Sequence, residues 1–190
     1  MARLPYATQA QFVQLMRETG LPENTPRANA FLVLAHSPAI GASVLRLVLA
    51  LLSESDLDPR LRELIILRVS QRCDGQYAWS QHVAMARSNG VSDAQVAALE
   101  RAEAPATLFD ERERVAFTFA DQVLDTCRAS ADPFAAARAL FSTREVVELL
   151  LLIGYFRMIA GLMTTLDVEL EPPFGAKVLD SVRGGTQCFN

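Results

Sequence analysis

One carboxylate and one imidazole stand nineteen residues apart in the stretch Glu63-Leu-Ile-Ile-Leu-Arg-Val-Ser-Gln-Arg-Cys-Asp-Gly-Gln-Tyr-Ala-Trp-Ser-Gln-His82. A Cys73-Asp-Gly75 break separates two helical runs within it. A helix–break–helix of this length folds back on itself, so Glu63 and His82 can approach and work as an acid/base pair. Histidine is the side chain whose ordinary pKa lies nearest neutrality, and the chain holds only two, His36 and His82. At helical spacing His82 shares a face with Ala78, Met85 and Ala86, which leave room beside the ring. A core histidine with a backbone partner is the plainer reading. Glu63 shares its face with Ile66, Leu67 and Ser70, where a carboxylate loses water and needs a cation or hydrogen bond to stay charged. A helix-start acid favoured by the dipole and paired with Arg60 or Arg62 would explain it without chemistry.

Tyr77 and Trp79 flank the same turn and are candidates to wall a pocket or to pack in the core. Tyr77 could also donate a hydrogen bond to a bound oxygen. Arg157 is a permanent charge inside Ile153-Gly-Tyr-Phe-Arg-Met-Ile159. A buried guanidinium must find an anion, since an unpaired buried charge costs on the order of 3–5 kcal/mol. Either Arg157 neutralises an acid such as Glu63 or Glu148, or it anchors a substrate carboxylate. His36 falls in a last helical turn, where the dipole stabilises it without any function. Cys73 reads as a structural cysteine, because a reactive thiol needs a depressed pKa and a positioned base. Two distant histidines and scattered cysteines supply no metal-ligand set.

The elements that must position these residues are all helical. Thr25-Pro26, Ser37-Pro38 and Asp58-Pro59 each pair a capping residue with a proline at the first helical position. Ser92-Asp-Ala-Gln95 and Ser142-Thr-Arg-Glu145 fit capping boxes, and Asn89-Gly90 fits a helix stop. The expected helices are 8–19, 26–36, 38–53, 59–73, 76–89, 93–103, 110–128, 132–140 and 143–165. No alternation long enough for a strand occurs. Pro172 and Pro173 end helical structure. The expected fold class is therefore all-α, with one domain over 1–174 and a tail over 175–190. Leu64-Ile65-Ile66-Leu67 and Leu149 to Ile153 are apolar all round, which predicts burial on every side and, in a small chain, a homo-oligomer.

The chain has 190 residues, 51% hydrophobic and 21% charged, enough to bury a sizeable core. A net charge of −4 with no basic stripe argues against a nucleic-acid partner. The N-terminus lacks a secretory apolar core. The most apolar run, Leu149 to Phe156, falls short of the ~20 residues that span a bilayer. Cys73, Cys127 and Cys188 form no disulfide framework. These readings predict a cytoplasmic protein with neither nucleic acid nor membrane as partner.

The segments His36-Ser-Pro, Asp58-Pro-Arg-Leu-Arg-Glu63, Tyr77-Ala-Trp-Ser-Gln-His82 and Asn89-Gly-Val-Ser, in that order and spacing, resemble the carboxymuconolactone decarboxylase/AhpD-like family. Glu148-Leu-Leu-Leu-Leu-Ile-Gly-Tyr-Phe-Arg-Met and Leu166-Asp-Val-Glu-Leu-Glu-Pro resemble its longer members, so the likeness covers about 26–173. It implies an all-helical fold whose central antiparallel helix hairpin carries the site, assembled as dimers, trimers or hexamers. In the family's peroxidase branch an acid precedes a Cys-x-x-Cys pair, and a histidine follows. Here the acid position falls on Glu63 and the histidine on His82, but the cysteine positions fall on Gly75 and Ala78. Thiol peroxidase chemistry through that motif is excluded. The decarboxylase branch uses no metal or organic cofactor. The resemblance then implies an acid/base reaction on a small cyclic carboxylate, a lactone or keto acid, with His82 as proton donor and Glu63 orienting it. Arg157 would hold the substrate carboxylate. A redox protein using a thiol outside the motif, or an oligomeric binding protein with a retired pocket, are the competing readings.

Overall fold

The computed structural model describes residues 1–174, and the expected tail over 175–190 lies outside the described residues. Among the described residues there are nine helices and no strands. They are α1 (Gln9–Thr19), α2 (Asn29–Leu34), α3 (Pro38–Ser53), α4 (Pro59–Arg72), α5 (Gln76–Ser88), α6 (Asp93–Glu100), α7 (Glu111–Thr126), α8 (Ala131–Leu140) and α9 (Thr143–Thr165). The described residues form two compact units. One holds Met1–Glu54 with residues 165–174, the other Ser55–Thr164.

Local signals set most of the helix ends. The Asp58 carboxylate accepts from the Leu61 amide at 3.0 Å, with Pro59 opening α4. Capping boxes stand at Ser92/Gln95, at Ser142/Glu145 and at Asp110/Glu113. Thr25-Pro26 is the exception. The Thr25 hydroxyl donates to the Pro22 carbonyl at 2.6 Å, and the helix begins four residues later at Asn29. Thr25 therefore closes a turn instead of capping a helix.

In the first unit Phe12, Leu15 and Met16 of α1 pack with Leu32, Ala35, Ala42 and Leu45. Gly41 permits the close approach of α3 to α2, since a Cβ there would lie 2.5 Å from the Leu34 carbonyl oxygen. His36 sits just past α2, and its Nε2 lies 2.7 Å from the Pro5 carbonyl oxygen, a structural contact.

In the second unit α4 is the central element, with every residue from Leu61 to Ser70 buried. It packs on α5, α6 and α7. Three ion pairs tie it to α7: Arg60–Glu113, Arg68–Asp121 and Arg72–Asp125. All three span 53 residues. A constant offset means that α4 and α7 run parallel in one register. The Arg68 guanidinium is bidentate on Asp121 at 2.9 and 2.7 Å and also donates to the Ala102 carbonyl at 3.0 Å.

The expectation for α9 changes. Leu149, Leu152, Ile153, Tyr155 and Phe156 are buried, but Val147, Leu150, Leu151 and Met158 are exposed. The helix has one buried face and one apolar face turned outward. At 23 residues it is long and apolar enough to cross a membrane by length and composition, a longer apolar element than the run 149–156 implied. Half of its apolar stretch is buried within the protein, as in a core helix.

Candidate functional site

The α4–α5 connection is short because the chain reverses in a Schellman turn. The Gly75 amide donates to the Ser70 carbonyl at 2.7 Å and the Asp74 amide to Gln71 at 3.3 Å. Asp74 takes the left-handed conformation this turn requires, at φ 52°. Aspartate tolerates that region better than most residues. The reversal lays α5 antiparallel on α4 and brings His82 opposite Glu63.

His82 Nδ1 lies 2.9 Å from Glu63 Oε2. Glu63 is 0% exposed and His82 8%. The second carboxylate oxygen, Oε1, is buried, accepts no hydrogen bond and faces the Arg62 Nε at 4.0 Å. Arg62 is itself only 6% exposed. The pair is thus a buried carboxylate between a guanidinium and an imidazole. With Nδ1 on the carboxylate, Nε2 is the ring nitrogen left to exchange a proton with a ligand. The edge of the His82 ring meets Phe156 of α9, centroids 5.0 Å apart at 89°. Phe156 in turn meets Tyr155 edge-on, and burial pushes the Tyr155 phenol well above its usual range.

The other residues singled out from sequence are placed differently. Tyr77 is buried in α5. Trp79 is half-buried and lines a recess with Ser70, Gln71, Asp74, Gln76 and Glu100. Arg157 is exposed, not buried, and pairs with neither Glu63 nor Glu148. It donates to the Leu124 carbonyl at 2.9 Å and lies 3.5 Å from Cys127 Sγ. The apolar run around it had suggested burial, but 157 falls on the outward face of α9. Glu148 is held by Ser55 at 2.7 Å and Arg144 at 2.8 Å. Cys73 is half-buried, and burial pushes its thiol up against the pull of Arg157 and Arg72. Cys188 lies outside the described residues. Among the described residues no group of His, Cys, Asp and Glu is placed to hold a metal ion.

Two participants went unassigned in the sequence, Arg62 and Phe156. The contact of Arg62 with Glu63 was legible only as one of two possible partners. Phe156 had no local signal, because its role depends on how α9 meets α5. The packing at Gly75 is equally non-local. A Cβ there would come within 3.0 Å of the Ala160 Cβ and 3.3 Å of the Ser70 carbonyl oxygen. Ala78 is also buried.

Comparison with known proteins bears on the family and the fold. The model of the carboxymuconolactone decarboxylase family matches residues 38–122. A protein of unknown function from Agrobacterium tumefaciens, proposed to be the antioxidant defence protein AhpD, is 25% identical with a TM-score of 0.66. The match covers 72% of this chain and 93% of that one. A peroxidase-related protein from Ralstonia eutropha with an alkylhydroperoxidase AhpD core superposes with a TM-score of 0.71 at 19% identity, over 94% and 95% of the two chains. The debrominase Bmp8, in complex with 2,3,4-tribromopyrrole, gives a TM-score of 0.66 at 16% identity, over 93% and 89%. No curated protein sequence matches significantly. Residues 38–122 thus match the carboxymuconolactone decarboxylase family, and the fold is shared with AhpD-like proteins.

Proposed function

We propose that the protein is a cofactor-independent acid/base enzyme, a decarboxylase or related lyase or isomerase acting on a small cyclic carboxylated substrate. The observation that carries this reading is the buried 2.9 Å contact between His82 Nδ1 and Glu63 Oε2, on a hairpin with no cysteine at positions 75 and 78. Loss of carbon dioxide leaves an electron pair on carbon, and the site must then deliver a proton to that carbon. His82 delivers it from Nε2, and Glu63 fixes the ring and balances the imidazolium. When the proton leaves, Glu63 would remain a buried charge beside a neutral ring, and the Arg62 guanidinium offsets it. Arg157 is not the substrate anchor of this site, because it lies on the exposed face of α9 beside Leu124 and Cys127. The tribromopyrrole held by the debrominase shows a small ring bound on this fold, which suits a small cyclic substrate here.

The same reading includes self-assembly. The outward face of α9, Val147, Leu150, Leu151 and Met158, is an apolar surface that a second copy would bury.

The test follows the His82 ring resonances by NMR while small lactone acids and keto acids are added, His36 being the other imidazole. One class of acid should shift the His82 signals, and His82→Gln should abolish turnover of that class. A ring indifferent to every acid, with turnover unchanged in the variant, would sink the proposal.

A further inference from the structure

A second group of reactive side chains lies away from the Glu63–His82 pair. Cys73 is the C-cap of α4 and Cys127 the C-cap of α7. The ion-pair offset of 53 residues places position 73 level with position 126, so both cysteines stand at the same end of the parallel helix pair. Arg157 of α9 joins them. Its Nη1 is 3.5 Å from Cys127 Sγ, and its charge also bears on Cys73. Cys127 is exposed, whereas Cys73 is half-buried. The residues on either side of Cys127 line an open recess that includes Gln122, Asp125, Thr126, Arg128 and Ser130. The one acid there, Asp125, is held by Arg72, which leaves Arg128 and Arg157 as the cations beside the exposed thiol.

We propose that Cys127, Cys73 and Arg157 form a thiol site that reacts with small anionic disulfides. The Arg157 guanidinium, 3.5 Å from the exposed Cys127 Sγ, is placed to hold the anionic end of an approaching disulfide. The Cys127 thiolate attacks one sulfur of the disulfide. A new S–S bond forms on Cys127, the old one breaks, and the departing thiolate takes a proton from water. Cys73 then loses its proton to water and attacks Cys127 Sγ. The second small thiol leaves, and a Cys73–Cys127 disulfide remains. Two protein thiols are oxidised and one small disulfide is reduced to two thiols. The order follows from burial: the exposed Cys127 reacts first, and the shielded Cys73, at the same end of the helix pair, resolves. This site is independent of the acid/base reading, since none of its three residues touches Glu63 or His82 in the structure.

The experiment uses the full chain with Cys188→Ser, so that only two thiols remain. It is incubated with glutathione disulfide, which is anionic, or cystamine, which is cationic, and followed by intact mass and peptide mapping. Glutathione disulfide should react about tenfold faster than cystamine, and Arg157→Gln should remove that preference while Arg157→Lys keeps it. The end product should be a linked Cys73/Cys127 peptide, and Cys73→Ser should stop at the mixed disulfide on Cys127. Circular dichroism of each variant checks that the fold is retained. Faster reaction with cystamine, first modification at Cys73, or a stable mixed disulfide with Cys73 still free would each overturn the proposal.

Discussion

The two sides of α4 treat charge in opposite ways. Toward α7 its arginines form a repeating series of ion pairs, each with a carboxylate partner at the same offset and most with some access to water. Toward α5 there is a single contact, fully buried, in which one carboxylate oxygen is engaged and the other is not. The first arrangement is what a helix interface needs: satisfied, redundant and partly hydrated. The second is costly for stability alone, because a buried pair of this kind rarely surpasses well-packed apolar side chains. That contrast, rather than the presence of an acid near a histidine, is what the proposed acid/base role rests on.

The contrast can be broken by mutation. His82→Leu should cost about 3 kcal/mol in urea unfolding, since it leaves Glu63 buried without its hydrogen bond. Glu63→Leu combined with His82→Leu should recover most of that loss while activity stays absent. A double variant as unstable as the single one would make the pair structural and remove the contrast. On the other side, Asp121→Asn should cost less, about 1–2 kcal/mol, because Asp121 is a quarter exposed and Arg68 keeps the Ala102 carbonyl.

The packing under the site gives a third test. Gly75→Ala should destabilise by about 1–2 kcal/mol through its approach to Ala160. Ala160→Gly should be less harmful in the Gly75→Ala background than in the wild type, and a double-mutant cycle reads the coupling. Simple additivity would mean that the turn relaxes without involving α9.

The smallest effect concerns pH at the start of α9. Burial would raise the Glu148 carboxyl, but the Ser55 hydroxyl, Arg144 and the Asp56 amide outweigh it and hold it below the usual range. A depressed carboxyl contributes stability above its unfolded pKa and loses it as pH falls through the lower folded value. Glu148→Gln should therefore lower stability near neutrality, leave it little changed at acid pH, and so flatten the acid limb of a stability profile. An unchanged acid limb would mean the hydrogen bonds to Glu148 are not formed in solution.

Much of the helical layout was legible because its signals are local. Pro59, the Ser92 and Ser142 capping boxes and the Asn89-Gly90 stop each act within one turn of the residue that carries them. The approach of Glu63 to His82 was legible for a related reason, as a short reversal constrains both ends of a hairpin. Arg157 and the outer face of α9 were not, since an apolar run does not say which side meets a neighbour. The α4–α7 series was missed because its repeat appears only when two segments 53 residues apart are aligned. Thr25-Pro26 misled in the opposite direction, since the same dipeptide serves a turn as readily as a helix start.

The Schellman turn at Cys73–Gly75 also bears on the order of assembly. Glu63 and His82 are joined by a loop that costs little entropy to close, whereas each α4–α7 ion pair must close a segment of more than fifty residues. Contacts of short sequence separation form early in a helical protein. The acid/base pair therefore belongs to the portion of the chain that folds first. In pulsed hydrogen exchange the amides of α4 and α5 should gain protection together, before those of α7. The Glu63–His82 hairpin would then serve as a nucleus on which the rest of its unit is laid down.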